Sequence, residues 1–151
     1  MALTLSDDIK ALVRGPNFAH LASLMSDGSP QVAPVWVDLE RDTILVGTGE
    51  GSLKAKNTRR DARVALSVIA MDNPYREAQI RGRVVERRPD ADFRIMDRIS
   101  HKYTGPLLHA RCAQSALTDA STGVVKQAVW QFMTKYVLGA HGLVSIANFK
   151  G

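Results

Sequence analysis

The chain has 151 residues, about one domain, and a domain of that length buries roughly two thirds of its unfolded surface around one core. It is 45% hydrophobic and 23% charged, and no apolar run approaches the roughly 20 residues that cross a bilayer, which excludes a membrane-spanning helix. An excess of 20 Lys and Arg over 15 Asp and Glu gives a net charge of +5, which suits an anionic partner, while the single cysteine, Cys112, excludes an internal disulfide framework.

The opening MALTLSDDIKAL carries acids rather than an apolar stretch before a small-residue cleavage site, so it does not read as a signal peptide, and a cytoplasmic location is expected. Residues 6–14 place Ile9, Leu12 and Val13 on one face after Ser6, Asp7 and Asp8, which predicts a short helix capped by Ser6 and stopped by Gly15-Pro16. FAHLASLM (18–25), the turn Ser26-Asp27-Gly28-Ser29 and QVAPVWVDLE (31–40) predict a hairpin, and TILVGTG (43–49) a third strand after a polar turn. GSLKAKNTRRDAR (51–63) has good helix formers after Ser52 and predicts a short basic helix. VALSVIAM (64–71) predicts a buried strand. YREAQIRGRVVERR (75–88) alternates, with Ala78, Ile80 and Val84 on one side and Gln79, Arg81 and Arg83 on the other, and predicts another strand.

From Pro89 onward, Phe93, Met96 and Ile99 recur at helical spacing, predicting a helix of some three turns that Thr104-Gly105-Pro106 ends. Residues 107–123 have no clear period and predict an irregular loop, and VVKQAVWQFMTKYVL (124–138) predicts a last strand followed by a tail of no assigned structure. Six strand-like runs with few helices between them favour an antiparallel barrel over a parallel α/β sheet, whose crossovers need more helices. The expected fold is therefore mainly β with peripheral helices, in one domain spanning 1–151.

TGEGSLKAKNTRRDAR (48–63) carries the chemistry. Glycines at 47, 49 and 51 leave the backbone unshielded at a strand end, and Ser52 starts a helix whose free N–H groups attract an anion, a layout suited to phosphate. Lys54 and Asn57 share one face, while Lys56 with Arg60 and Arg59 with Arg63 stack like charges that an anion would relieve. A solvated basic helix is the plain alternative. The spacings of a Walker loop and of a GxGxxG fingerprint are both absent.

His20, His101, His109 and His141 are scattered, so no metal is expected. No Ser-His-Asp arrangement is legible, and no catalytic side chain is assigned. Aromatic residues are 6% of the chain and none interleave with the charges at 54–63, which argues against nucleic-acid binding.

Together, DGSPQVAPVWVD (27–38), TILVGTGEGSLKAKNTRRDARVALSV (43–68) and QIRGRVVE (79–86) resemble the pyridoxamine 5'-phosphate oxidase-like superfamily. The pattern K-x-x-N-x-R-R-D-x-R-V-A-L from Lys54, with KYTG at 102–105, is similar to its branch that binds the deazaflavin coenzyme F420. The resemblance implies a six-stranded antiparallel split β-barrel and a homodimer with cofactor grooves between subunits. By position, Ser52 and Lys54 would hold the cofactor phosphate, reinforced by Asn57 and Arg60, with Thr48 and Gly49 near the phosphate-bearing chain. Pro34, Val35 and Trp36 would lie against the ring system, and Gln79 and Arg81 at the ring edge or an acidic tail. The implied activity is hydride transfer to or from a small conjugated molecule with F420. FMN is the alternative cofactor, and a non-catalytic flavin, deazaflavin or tetrapyrrole binder the alternative role.

Overall fold

The computed structural model describes residues 4–90, 92–105 and 141–148. α1 (Asp7–Arg14) forms as its sequence predicts: Ser6 accepts a hydrogen bond from the Ile9 amide, and Leu12 and Val13 are buried. β1 (Ala19–Leu24) and β2 (Pro30–Val35) make the first hairpin, whose Gly28 takes a φ of 83° that favours glycine. β3 (Val37–Glu40) and β4 (Thr43–Gly49) follow, then α2 (Leu53–Arg60), β5 (Arg63–Ile69), β6 (Glu77–Pro89), α3 (Arg94–Thr104) and β7 (His141–Asn148).

These strands form one antiparallel sheet in the order β2-β1-β5-β6-β7-β4-β3. Its two edges, β2 and β3, are consecutive in the chain with only Trp36 between them, so the sheet must curl until the edges meet. The predicted single arm at 31–40 is thus broken at Trp36 into β2 and β3, and with β7 the described residues hold seven strands. β6 turns the corner: it pairs with β5 through Glu77 to Arg83 and with β7 through Gly82 to Pro89, with the register slipping at Val84/Glu86. Leu21, Val35, Ile44, Val46, Leu66, Val68, Ile80 and Ile146 fill the interior, and α1 closes it through Leu12 and Val13.

The expected strand at 124–138 lies outside the described residues. The tail to which no structure was assigned supplies β7, which bridges β4 and β6. The third helix starts later than expected because β6 runs through Pro89. Phe93 then sits in the left-handed region (φ 59°), and the buried Asp90 carboxylate accepts hydrogen bonds from the Ile95 and Met96 amides at 3.3 and 2.7 Å, taking the place of a side-chain N-cap.

Met96 and Ile99 of α3 form a second small core with Trp36, Phe93, Ile95 and Tyr103. This core explains Gly47, which the sequence placed in the phosphate layout: a Cβ there would stand 2.6 Å from Met96 Sδ, whereas at Gly49 and Gly51 it would meet nothing within 4 Å. We expect Gly47→Ala to destabilise by about 1 kcal/mol at most, because the tip of the flexible Met96 side chain has to shift, while Gly51→Ala changes stability by no more than about 1 kcal/mol and in the stabilising direction. Urea unfolding of the two variants checks this.

Candidate functional site

The start of α2 is built by a local turn. The Ser52 amide donates to Gly49 O (3.0 Å), which brings the Ser52 hydroxyl back against β4, 2.8 Å from the Thr48 hydroxyl, and Ser52 Oγ accepts from the Ala55 amide at 3.3 Å. No acid occupies the first turn of α2, so its positive end is not offset there. Lys54 is only 8% exposed, an uncommon burial for an ammonium, and Ala55, Asn57 and Thr58 share its buried face.

Asn57, Arg59 and Arg60 of the basic helix are committed to the protein itself. Asn57, 1% exposed, donates to Ser23 Oγ at 3.2 Å and to Met25 Sδ at 3.5 Å; its oxygen accepts from Arg60, whose guanidinium also donates to Leu24 O at 2.7 Å. These bonds fix α2 across the end of β1. The stacked like charges find their own answers: Arg59 pairs with the Glu50 carboxylate, and Arg63 with Asp61 at 2.6 Å. Hydrogen bonds from Arg63 hold the Asp61 carboxyl down at about 2. An external anion is therefore not needed to relieve Arg59 and Arg63, while Lys56 stays exposed beside Arg60. Of the residues expected at a phosphate, the structure brings Thr48, Gly49 and Ser52 together by hydrogen bonds and buries Lys54 in the first turn that follows.

Pro34, Val35 and Trp36 point to different places. Val35 is in the barrel core, Pro34 lies exposed beside His20 on the outer face, and Trp36 stacks flat on Tyr103, with centroids 5.1 Å apart and an interplanar angle of 5°. Gln79 and Arg81 are also exposed on the outer face, opposite Ser67 and Ala65 of β5. They line a groove of about 600 Å³ with His20, Ala22, Val32 and Ser67. The alternation of β6 already marked its outward side in the sequence. That His20, Ala22, Ala65 and Ser67 share the face depends on register between distant strands, which no local pattern carries.

The KYTG segment packs against Trp36 and ties α1 to the start of β3. Lys102 donates to Val13 O at 2.8 Å and to Val37 O, and lies over the Tyr103 ring; the Tyr103 hydroxyl donates to Asn17 O at 2.8 Å and accepts from the Val37 amide at 3.2 Å. Burial pushes the Lys102 ammonium down to about 8, helped by Arg98 and opposed by Asp38, and pushes the Tyr103 hydroxyl up to about 12. No cluster of three or more His, Cys, Asp or Glu side chains able to hold a metal ion occurs among the described residues, and no helix there is long and apolar enough to cross a membrane.

Residues 5–137 match the family model of pyridoxamine 5'-phosphate oxidase. Among solved structures, an F420 reductase is 23% identical, with a TM-score of 0.69 over 93% of this chain and 93% of its own. A conserved hypothetical protein from Mycobacterium tuberculosis is 25% identical, with a TM-score of 0.63 over 99% of this chain and 83% of its own. A FAD-binding protein from Mesorhizobium loti is 17% identical, with a TM-score of 0.51 over 99% and 94%. No curated protein matches the sequence.

Lys102 also sets a pH dependence. Its folded-state pKa of about 8 lies below the ordinary 10.5, so between these values the unfolded chain holds more protons and this group makes stability rise with pH. We expect wild-type unfolding free energy to climb relative to that of Lys102→Met from about pH 8 to about pH 10, the ordinary value of the tyrosine beside it. Denaturant unfolding across this range, with parallel slopes as the contrary result, decides it.

Proposed function

Since the chain belongs to the pyridoxamine 5'-phosphate oxidase family and is an oxidoreductase of that flavin- or deazaflavin-using kind, we propose that it binds coenzyme F420 and exchanges a hydride with a small conjugated molecule. The observation that carries the cofactor reading is the acid-free start of α2, where the hydroxyls of Ser52 and Thr48 pair and a buried Lys54 follows two residues after Ser52. This donor set fits a phosphate: one ammonium, two hydroxyls, and open space where side chains would stand at Gly49 and Gly51.

When bound, the deazaflavin supplies the hydride chemistry. Lys54, Ser52 and Thr48 hold its phosphate, and the backbone at Gly49 lets the phosphate-bearing chain approach. Asn57 and Arg60 serve this indirectly, because their bonds to Ser23, Met25 and Leu24 O hold α2 in position. Pro34 lies against the ring system, with Gln79 and Arg81 of the same outer face at its edge or acidic tail, while Trp36 is held flat by Tyr103. No side chain is required as a covalent catalyst; orientation and exclusion of water are the protein's share.

We propose further that the chain works as a homodimer. Light scattering at twice the chain mass is the expected result.

Affinity for F420, followed by its fluorescence, tests the reading. Lys54→Ala should weaken binding by about 1.5–3 kcal/mol, the range of a charge-assisted hydrogen bond, with the dimer intact. Unchanged affinity removes the phosphate assignment. Preference for FMN by tenfold or more turns the assignment from F420 to FMN.

A further inference from the structure

The outer face of β2, β1, β5 and β6 is ordered in cross-strand rows. One row is Pro34, His20, Ser67 and Gln79; the next is Val32, Ala22, Ala65 and Arg81; beyond it Pro30 faces Leu24 and Arg63 faces Arg83. With strands about 4.8 Å apart, a four-strand row spans about 14 Å. The middle row has two alanine methyls between the taller Val32 and Arg81, so it makes a flat apolar floor with a cation at one side. A groove of about 330 Å³, walled by Leu24, Pro30, Arg63 and Arg83, joins the larger one through the shared Ala22, Ala65 and Arg81, forming one continuous trough.

The charges in this trough are not balanced. Arg63 and Arg83 stand directly opposite on β5 and β6, an arrangement that like charges disfavour. Asp61 answers Arg63. Neither Arg83 nor Arg81 forms an ion pair among the described residues. An exposed guanidinium at the margin of a flat methyl floor, whose nearby acid Asp61 is already paired with Arg63, complements a molecule with a planar apolar body and an acidic end, because the floor can bury one face of the body while Arg83 meets the acid. A bare inorganic anion would gain only the second contact.

We propose that the trough over Ala22 and Ala65 binds a planar conjugated carboxylate anchored on Arg83, and that this is the substrate class of the oxidoreductase. The substrate assignment rests on the cofactor reading given above; the trough itself stands on the geometry of the sheet.

Calorimetry on the F420-loaded and the cofactor-free protein tests it, with trans-cinnamate, its methyl ester and inorganic phosphate as probes. Cinnamate should bind saturably, and the ester and phosphate at least about tenfold more weakly, as expected for loss of a charge-assisted contact or of the apolar floor. Arg83→Gln should weaken cinnamate about tenfold, Arg83→Lys should restore most of the loss, and F420 affinity and dimer mass should be unchanged in both. Equal binding of acid and ester, equal binding of phosphate, or an Arg83→Gln variant that binds cinnamate as the wild type does would overturn the proposal. So would absence of cinnamate binding to a protein that still takes up F420, the result expected if the second copy fills the trough. Arg83-dependent cinnamate binding in a protein that ignores F420 supports the trough and counts against the cofactor reading alone.

Discussion

Everything in this fold depends on the closure at Trp36. One residue separates the strands that form opposite edges of the sheet, so the barrel is shut only while that residue is held in place. The hold comes from α3: Tyr103 stacks on the indole and bonds the Val37 amide and Asn17 O, Lys102 bonds Val13 O and Val37 O, and Arg98 reaches Asp38 at 2.6 Å. The KYTG segment thus ties the closure to both α1 and β3. The burial of Lys102 that lowers its pKa is a cost of this arrangement, offset by two carbonyl partners and the face of the tyrosine ring.

Closure decides which side chains face inward and which outward. Along β1, β5 and β6 it buries Leu21, Leu66 and Ile80 and turns Ala22, Ala65 and Arg81 to the outside. It also seats α2 across the end of β1, where Asn57 and Arg60 lock it, so that the start of the helix meets the end of β4 at Thr48. The turn proposed to cradle the cofactor and the flat outer trough then follow from one topological constraint. On the proposed function the outward positions need not be catalytic in themselves, because the redox chemistry would belong to the bound group and the chain would supply anchoring and shape.

Local signals were legible in the sequence. Ser6 and Ser52 marked their helix starts because capping is decided within three residues, and the alternation from Gln79 to Val84 announced a strand with one polar side. What depends on distant partners was not legible. The arm at 31–40 reads as unbroken because the stack that breaks it at Trp36 comes from Tyr103 in α3. Gly47 reads as a phosphate-loop glycine, yet Met96 is what packs against it. β7 has no flanking turn chemistry to declare it; its pairing with β4 and β6 is wholly non-local. At the site, the basic residues of 54–63 were visible as a cluster, but only the fold separates the buried Lys54 from arginines engaged with Glu50, Leu24 O and Asp61.

The central claim is that the turn from β4 into α2 is where the cofactor phosphate rests. Amide hydrogen exchange with and without saturating F420 addresses it most directly. Slower exchange at residues 49–54, with the hairpin turn at 26–29 unaffected, is the predicted result. Protection that spares 49–54 and appears elsewhere on the barrel would contradict it.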